Sequence, residues 1–103
     1  MIIPKITANM EFCAICGARA DWHHVIHGHG KRELASEDGL VLPLCPYHHQ
    51  YSAVAAHMNN TVDTLCEIIG QLAFERNQLA EGKARTIDDA EAQFLARYGK
   101  KYL

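Results

Sequence analysis

Cys13-Ala14-Ile15-Cys16, Asp21-Trp22-His23-His24-Val25 and Cys45-Pro46-Tyr47-His48-His49 decide how this chain is read. Seven cysteine and histidine side chains, each a potential metal ligand, fall in these three clusters, all between residues 13 and 49. Thiolate and imidazole are the ligands zinc prefers, and a Cys-x₂-Cys pair answered by Cys-x₂-His supplies the four donors of a closed tetrahedral site. Cys13, Cys16, Cys45 and His48 are therefore assigned to one structural zinc. A tight turn at each pair lets both donors face one ion, and Gly17 suits the first turn. The competing readings of the first pair are a redox dithiol, which usually follows a strand in a βαβ unit, and a disulfide, which needs an oxidising compartment. No βαβ pattern surrounds it. The opening Met1-Ile-Ile-Pro-Lys-Ile-Thr7 has neither a long apolar run nor a cleavage-site pattern, which favours a reduced, cytoplasmic setting. His23, His24 and His49 lie beside the zinc cluster, yet a structural zinc needs none of them.

Composition sets mild bounds. A chain of 103 residues reads as one domain that buries roughly 60–70% of its unfolded surface, a narrow margin that a zinc site reinforces. Ten basic and 12 acidic residues leave a net charge of −2, so no global electrostatic argument favours nucleic acid. No stretch is long and apolar enough to span a membrane.

Punctuation divides the chain. Residues 1–10 are a short lead and 11–20 the first knuckle. Residues 21–27 suit a strand through Trp22 and the β-branched pair Val25-Ile26. Residues 28–36, opening Gly28-His29-Gly30, read as a loop; 40–44 suit a second strand ending at Pro43. Pro46 is placed to start a helix running to about His57. Trp22 reads as a core anchor against the knuckle, with a base-stacking platform as the alternative. Beyond residue 60, apolar residues at 62, 65, 66, 69, 72 and 73 keep helical period, and Cys66 falls on that stripe as a small buried hydrophobe. Thr86 is a good N-cap for a last helix, with Ala90, Phe94, Leu95 and Tyr98 on its apolar face and Gly99 as its stop. These two helices form either a lid or the surface of a homodimer. The fold class expected is α+β: a zinc-stabilised ββα unit over about 11–57, followed by a helical extension over about 61–103.

The stretch from Cys13 to His49 resembles the HNH, or ββα-metal, endonucleases. It is most similar to small phage and prophage members, including the recombination-enhancement nuclease group. Members carry, in order, Cys-x₂-Cys, a His-His-hydrophobic turn, a Gly-His-Gly loop, an acidic residue and hydrophobic-Pro-Leu-Cys-x₂-His-His. Here these read Cys13 to Cys16, Asp21-Trp22-His23-His24-Val25, Gly28-His29-Gly30, Asp38 and Leu42-Pro43-Leu44-Cys45-Pro46-Tyr47-His48-His49. Residues 58–103 lie outside the resemblance.

The resemblance implies metal-dependent hydrolysis of DNA phosphodiesters. His24 would be the general base, since an imidazole of ordinary pKa accepts a proton from water at neutral pH. His23 and His49 would be ligands of a catalytic Mg²⁺ or Mn²⁺, with Ni²⁺ a further option. His48 and His49 are about 100° apart around a helix, so one can face the zinc and the other the catalytic cation. Taken alone, His23-His24 reads more readily as one buried, hydrogen-bonded histidine and one exposed; beside the knuckles and His49 the metal-site reading prevails. Two departures stand out. The middle asparagine of the family is missing from Ser36-Glu37-Asp38-Gly39, which leaves Asp38 to orient His24 or ligate the cation, unless it is only a turn residue. The position four after His49, often a further ligand, is Ala53; His57, eight residues on and about 80° off the His49 face of a continuous helix, is the substitute. These departures and the acidic net charge support an alternative: a zinc-stabilised binding module that does not cleave.

Overall fold

Asp21 pairs with Leu44 and His24 with Val41, so the His-His cluster and the second knuckle lie side by side. This antiparallel hairpin belongs to a computed structural model that describes residues 2–103. Two strands and four helices follow in order: β1 (Asp21–His24), α1 (Lys31–Asp38), β2 (Val41–Leu44), α2 (Pro46–His49), α3 (Asn60–Ala80) and α4 (Ile87–Tyr98). Pro43 lies inside β2, opposite Trp22, which a two-stranded sheet allows because each strand has a side with no ladder partner.

Three element boundaries differ from expectation. The first strand ends at His24 rather than 27, with one further bond from Val25 N–H to Leu40 C=O at 3.1 Å. The stretch expected as a loop contains α1, bracketed by Gly30 and Gly39 at φ 77° and 71°. Leu40 N–H closes that helix by donating to Ala35 C=O at 2.9 Å. The residues between the glycines are good helix formers, and the glycines are its caps. The helix expected over 46–57 is a single turn. After Gln50, at φ −152°, the chain loops back over that turn: Ala56 N–H donates to His48 C=O at 2.8 Å and His57 N–H to His49 C=O at 3.0 Å.

α3 and α4 begin as the sequence indicates. Asn59 accepts from Val62 N–H and Thr86 from Asp89 N–H, each at 3.1 Å, and Gly99 at φ 74° ends α4. One buried cluster joins both halves of the chain: Val25, Ile26, Leu40 and Leu44 pack with Phe74, Phe94 and Tyr98. At Gly70 the approach is so close that a Cβ would lie 2.6 Å from Val25 Cγ2. The buried face of α3 is rotated from the expected stripe. Cys66 and Ala73 are buried, but Leu65, Ile69 and Leu72 are exposed, and Gln71 and Glu75 are buried in their stead. Gln71 is satisfied there: its Oε1 accepts from the backbone N–H groups of Tyr102 and Leu103, and its Nε2 donates to Glu75 at 2.8 Å. No described helix is long and apolar enough to cross a membrane.

Candidate metal centres and the histidine cavity

The first knuckle is built by backbone turns. Cys13 N–H donates to Ala18 C=O at 2.6 Å, Gly17 N–H returns to Cys13 C=O at 2.9 Å, and Ala14 N–H reaches across to Pro43 C=O at 2.9 Å. The last bond ties the knuckle to β2, whose next residues lead into Cys45. The donor atoms of Cys13, Cys16, Cys45 and His48 consequently lie within 4.8 Å of one another. Cys16 Sγ and Cys45 Sγ are 3.6 Å apart; His48 Nδ1 is 3.3 Å from Cys45 Sγ and 3.7 Å from Cys13 Sγ. A tetrahedron with Zn–S bonds of about 2.3 Å has edges of about 3.8 Å, so the spacing fits. All four cysteines of the chain are free thiols. Burial acts to raise the Cys13 pKa, but the backbone N–H groups of Cys45, Cys16 and Ile15 outweigh it and bring it down to about 6. At Cys16 the Ala18 backbone pulls downward, and the neighbouring thiols of Cys45 and Cys13 overcome it and raise the value. Several sulfurs competing for negative charge are what a divalent cation would relieve. This Cys₃His cluster could hold a zinc ion.

A second cluster lies on the other side of α2. His23, His49 and His57 bring ring nitrogens within 4.8 Å of one another, with His49 Nε2 and His57 Nε2 3.0 Å apart. The single turn of α2 points His48 at the sulfurs and His49 at the histidines, as their angular separation requires. His57 joins them because the chain folds back over α2, not because it shares a helical face with His49. His23 is 1% exposed, and neither of its ring nitrogens has a hydrogen-bond partner among the described residues. An unpaired buried imidazole is costly, so the arrangement calls for a ligand. Burial, reinforced by His57, His49 and His27, lowers the His23 pKa to about 3, which keeps it neutral and able to donate a lone pair. Burial likewise lowers His57, with His49 next in effect. Asp21 Oδ2 lies 3.3 Å from His49 Nδ1. A carboxylate there holds the proton on Nδ1 and leaves Nε2 free for a metal. The residues fit a cation, and of the expected Mg²⁺, Mn²⁺ and Ni²⁺ nothing in the cluster specifically supports Mg²⁺ or Mn²⁺. Three imidazoles with no carboxylate in the cluster suit a borderline transition metal such as Zn²⁺ or Ni²⁺, not an oxygen-seeking Mg²⁺.

These rings open into a cavity of about 270 Å³, lined by His23, His24, His27, His49 and His57 and by the exposed side chains of Trp22 and Arg32. His24 is partly buried at its wall. Burial, and then the charge of Arg32, lowers its pKa, so it is neutral at pH 7. Its Nε2 is 2.8 Å from Ser36 Oγ on α1. At the rim, His27 Nε2 meets Asp63 Oδ1 of α3 at 3.1 Å.

Asp38 does not line this cavity and does not touch His24. Its Oδ2 accepts from Arg97 Nε and from Tyr98 Oη, both at 2.6 Å, and so ties α1 to α4. Burial and that carboxylate push the Tyr98 phenol well above its ordinary value and keep it a donor. The expected partner of His24 is thus corrected from Asp38 to Ser36, two residues earlier. The reason is helical: about 200° around α1 separates the two side chains. Trp22 is corrected as well. At 45% exposed it lines the cavity and is no core anchor. Cys66 is buried and its thiol is pushed up to about 11, chiefly by burial, which keeps it an inert packing group. Asp21 and Ser36 are site residues that sequence reading left without a role. Period two along a strand put Asp21 on the side of His23, which was a usable signal. Ser36 had none without α1.

No protein-family model, curated protein or solved structure matches this chain.

Proposed function

We propose that the protein is a metal-dependent endonuclease of the HNH type, hydrolysing DNA phosphodiesters in the histidine cavity on a ββα-metal frame braced by a structural zinc. The observation that carries this reading is His23, buried with both nitrogens unpartnered beside His49 and His57, while a neutral His24 faces the same cavity. His23, His49 and His57 would hold a divalent cation, which would supply Lewis-acid charge to the phosphate. The chain's own residues do the rest. His24 takes the proton from the attacking water, and its lowered pKa keeps it unprotonated for that task. Ser36 fixes the imidazole through its hydroxyl. Asp21 sets the tautomer of His49. The buried wall formed by His23 keeps bulk water from that side of the cavity.

The test is incubation of supercoiled plasmid and single-stranded circular DNA with Zn²⁺, Ni²⁺, Mn²⁺ and Mg²⁺ in turn. The expected result is cleavage with the transition metals, little with Mg²⁺, and none from a folded His24→Ala variant that retains its zinc. Intact DNA with every cation would leave the zinc-stabilised, non-cleaving binding module as the better reading.

A further inference from the structure

Trp22 is the one tryptophan of the chain, and the structure leaves it 45% exposed in β1 beside the most buried histidine. It contributes nothing to the hydrophobic core, which is built from Val25, Ile26 and the residues behind them. Arg32, in the first turn of α1, lines the same cavity and forms no ion pair or side-chain hydrogen bond among the described residues. Arg19 and Arg97, by contrast, are engaged by Glu11 and Asp38. A flat apolar ring and an uncommitted guanidinium therefore share one cavity with the histidines.

We infer that Trp22 and Arg32 form a subsite for an unpaired nucleotide, the indole stacking on its base and the guanidinium holding its phosphodiester, so that the preferred substrate is single-stranded DNA. The inference rests on the histidine cavity being a phosphodiester site. Base–aromatic stacking needs a free base face, which a single strand offers and a duplex withholds unless the base is flipped out. Arg's planar fork suits phosphate oxygens. A net charge of −2 lacks the broad positive field that a duplex, with its denser charge, would reward. Stacking contributes affinity without such a field.

Because Trp22 is the sole tryptophan, its fluorescence reports stacking directly. The experiment titrates the purified, zinc-containing chain, with no divalent cation added, with a short oligothymidylate and with a duplex of equal length. The expected result is saturable quenching by the single strand and affinity at least about 10-fold weaker for the duplex. By anisotropy of a labelled single strand, Trp22→Ala should weaken binding about 10-fold, in line with the loss of one stacked base, and Trp22→Phe should keep most of it. Arg32→Ala should flatten the salt dependence by about one unit of slope. Equal affinity for duplex, or bound single strand with Trp22 emission unmoved, would overturn the inference, and both are read on the parent protein. The two proposals fail separately: single-strand quenching without any cleavage ends the nuclease reading alone, and duplex nicking with unmoved emission ends this one alone.

Discussion

Ser36 and Asp38 sit two residues apart on α1 and do different work. Ser36 Oγ holds His24 Nε2, whereas the Asp38 carboxylate is engaged by Arg97 and Tyr98. Ser36→Ala is expected to lower DNA cleavage by about 10-fold or more while leaving the melting temperature nearly unchanged, since it removes only an orienting contact. Asp38→Ala is expected to do the reverse. It strands the buried Tyr98 hydroxyl and costs about 1–3 kcal/mol of stability in a denaturant titration, with cleavage by the folded fraction preserved. His23 provides a pH signature. The unfolded chain protonates this imidazole below about pH 6.5, while the folded one does so only near pH 3. Between those values the unfolded state binds more protons, so stability falls as pH falls, by at most about 1.4 kcal/mol per pH unit for this one group, and is insensitive to it outside the window. Urea midpoints at pH 7 and pH 5 should therefore drop further for the parent than for His23→Leu, both carrying the structural zinc.

At the level of elements, α3 approaches closely the two residues that follow β1. A methyl group at Gly70 would lie 2.6 Å from Val25 Cγ2 and 3.2 Å from Ile26 Cδ1. Val and Ile are stiff at χ1, so neither swings aside readily. Gly70→Ala gains about 1 kcal/mol of helix propensity and loses about 1–3 kcal/mol to overpacking, so net destabilisation is expected in thermal or urea unfolding. Adding Val25→Ala should make the alanine at 70 less harmful than it is alone, the mark of a direct clash. α3 and α4 were legible because their length lets periodicity and capping residues agree. α1 was not, because glycines at both ends of an eight-residue helix read as loop. α2 was read too long, because Pro46 marks where a helix begins and nothing nearby marks where it ends.

For the molecule as a whole, stability and site share one support. The hairpin that carries His23 and His24 joins the Cys₃His cluster to the core it shares with α3 and α4. Structural zinc contributes about 10–16 kcal/mol in small domains, as much as a domain's entire stability. Cys45→Ser, or strong chelation, is therefore expected to unfold the chain as one unit. Zinc release and loss of helical circular dichroism, α3 and α4 included, should occur together. Retained helical signal in metal-free protein would show that the helices stand without the knuckle.

The two knuckle pairs of the Cys₃His cluster, the division of labour between His48 and His49, and the caps of the two long helices were all determined by the sequence itself, because each depends on spacing within a turn or two of chain; the meeting of the two pairs, 29 residues apart, needed the hairpin. The rest was decided in three dimensions. His57 reaches His49 only because the segment after α2 folds back, a path no helical wheel describes. Asp38 was drawn from His24 to Arg97 and Tyr98 because α4, 60 residues on, packs where its carboxylate points. Trp22 faces the cavity because β1 buries His23 on its inner side and the core is filled by Val25 and Ile26 beyond it. Short-range geometry can be read from residue order; which side chain a distant element will meet depends on packing that the order alone does not display.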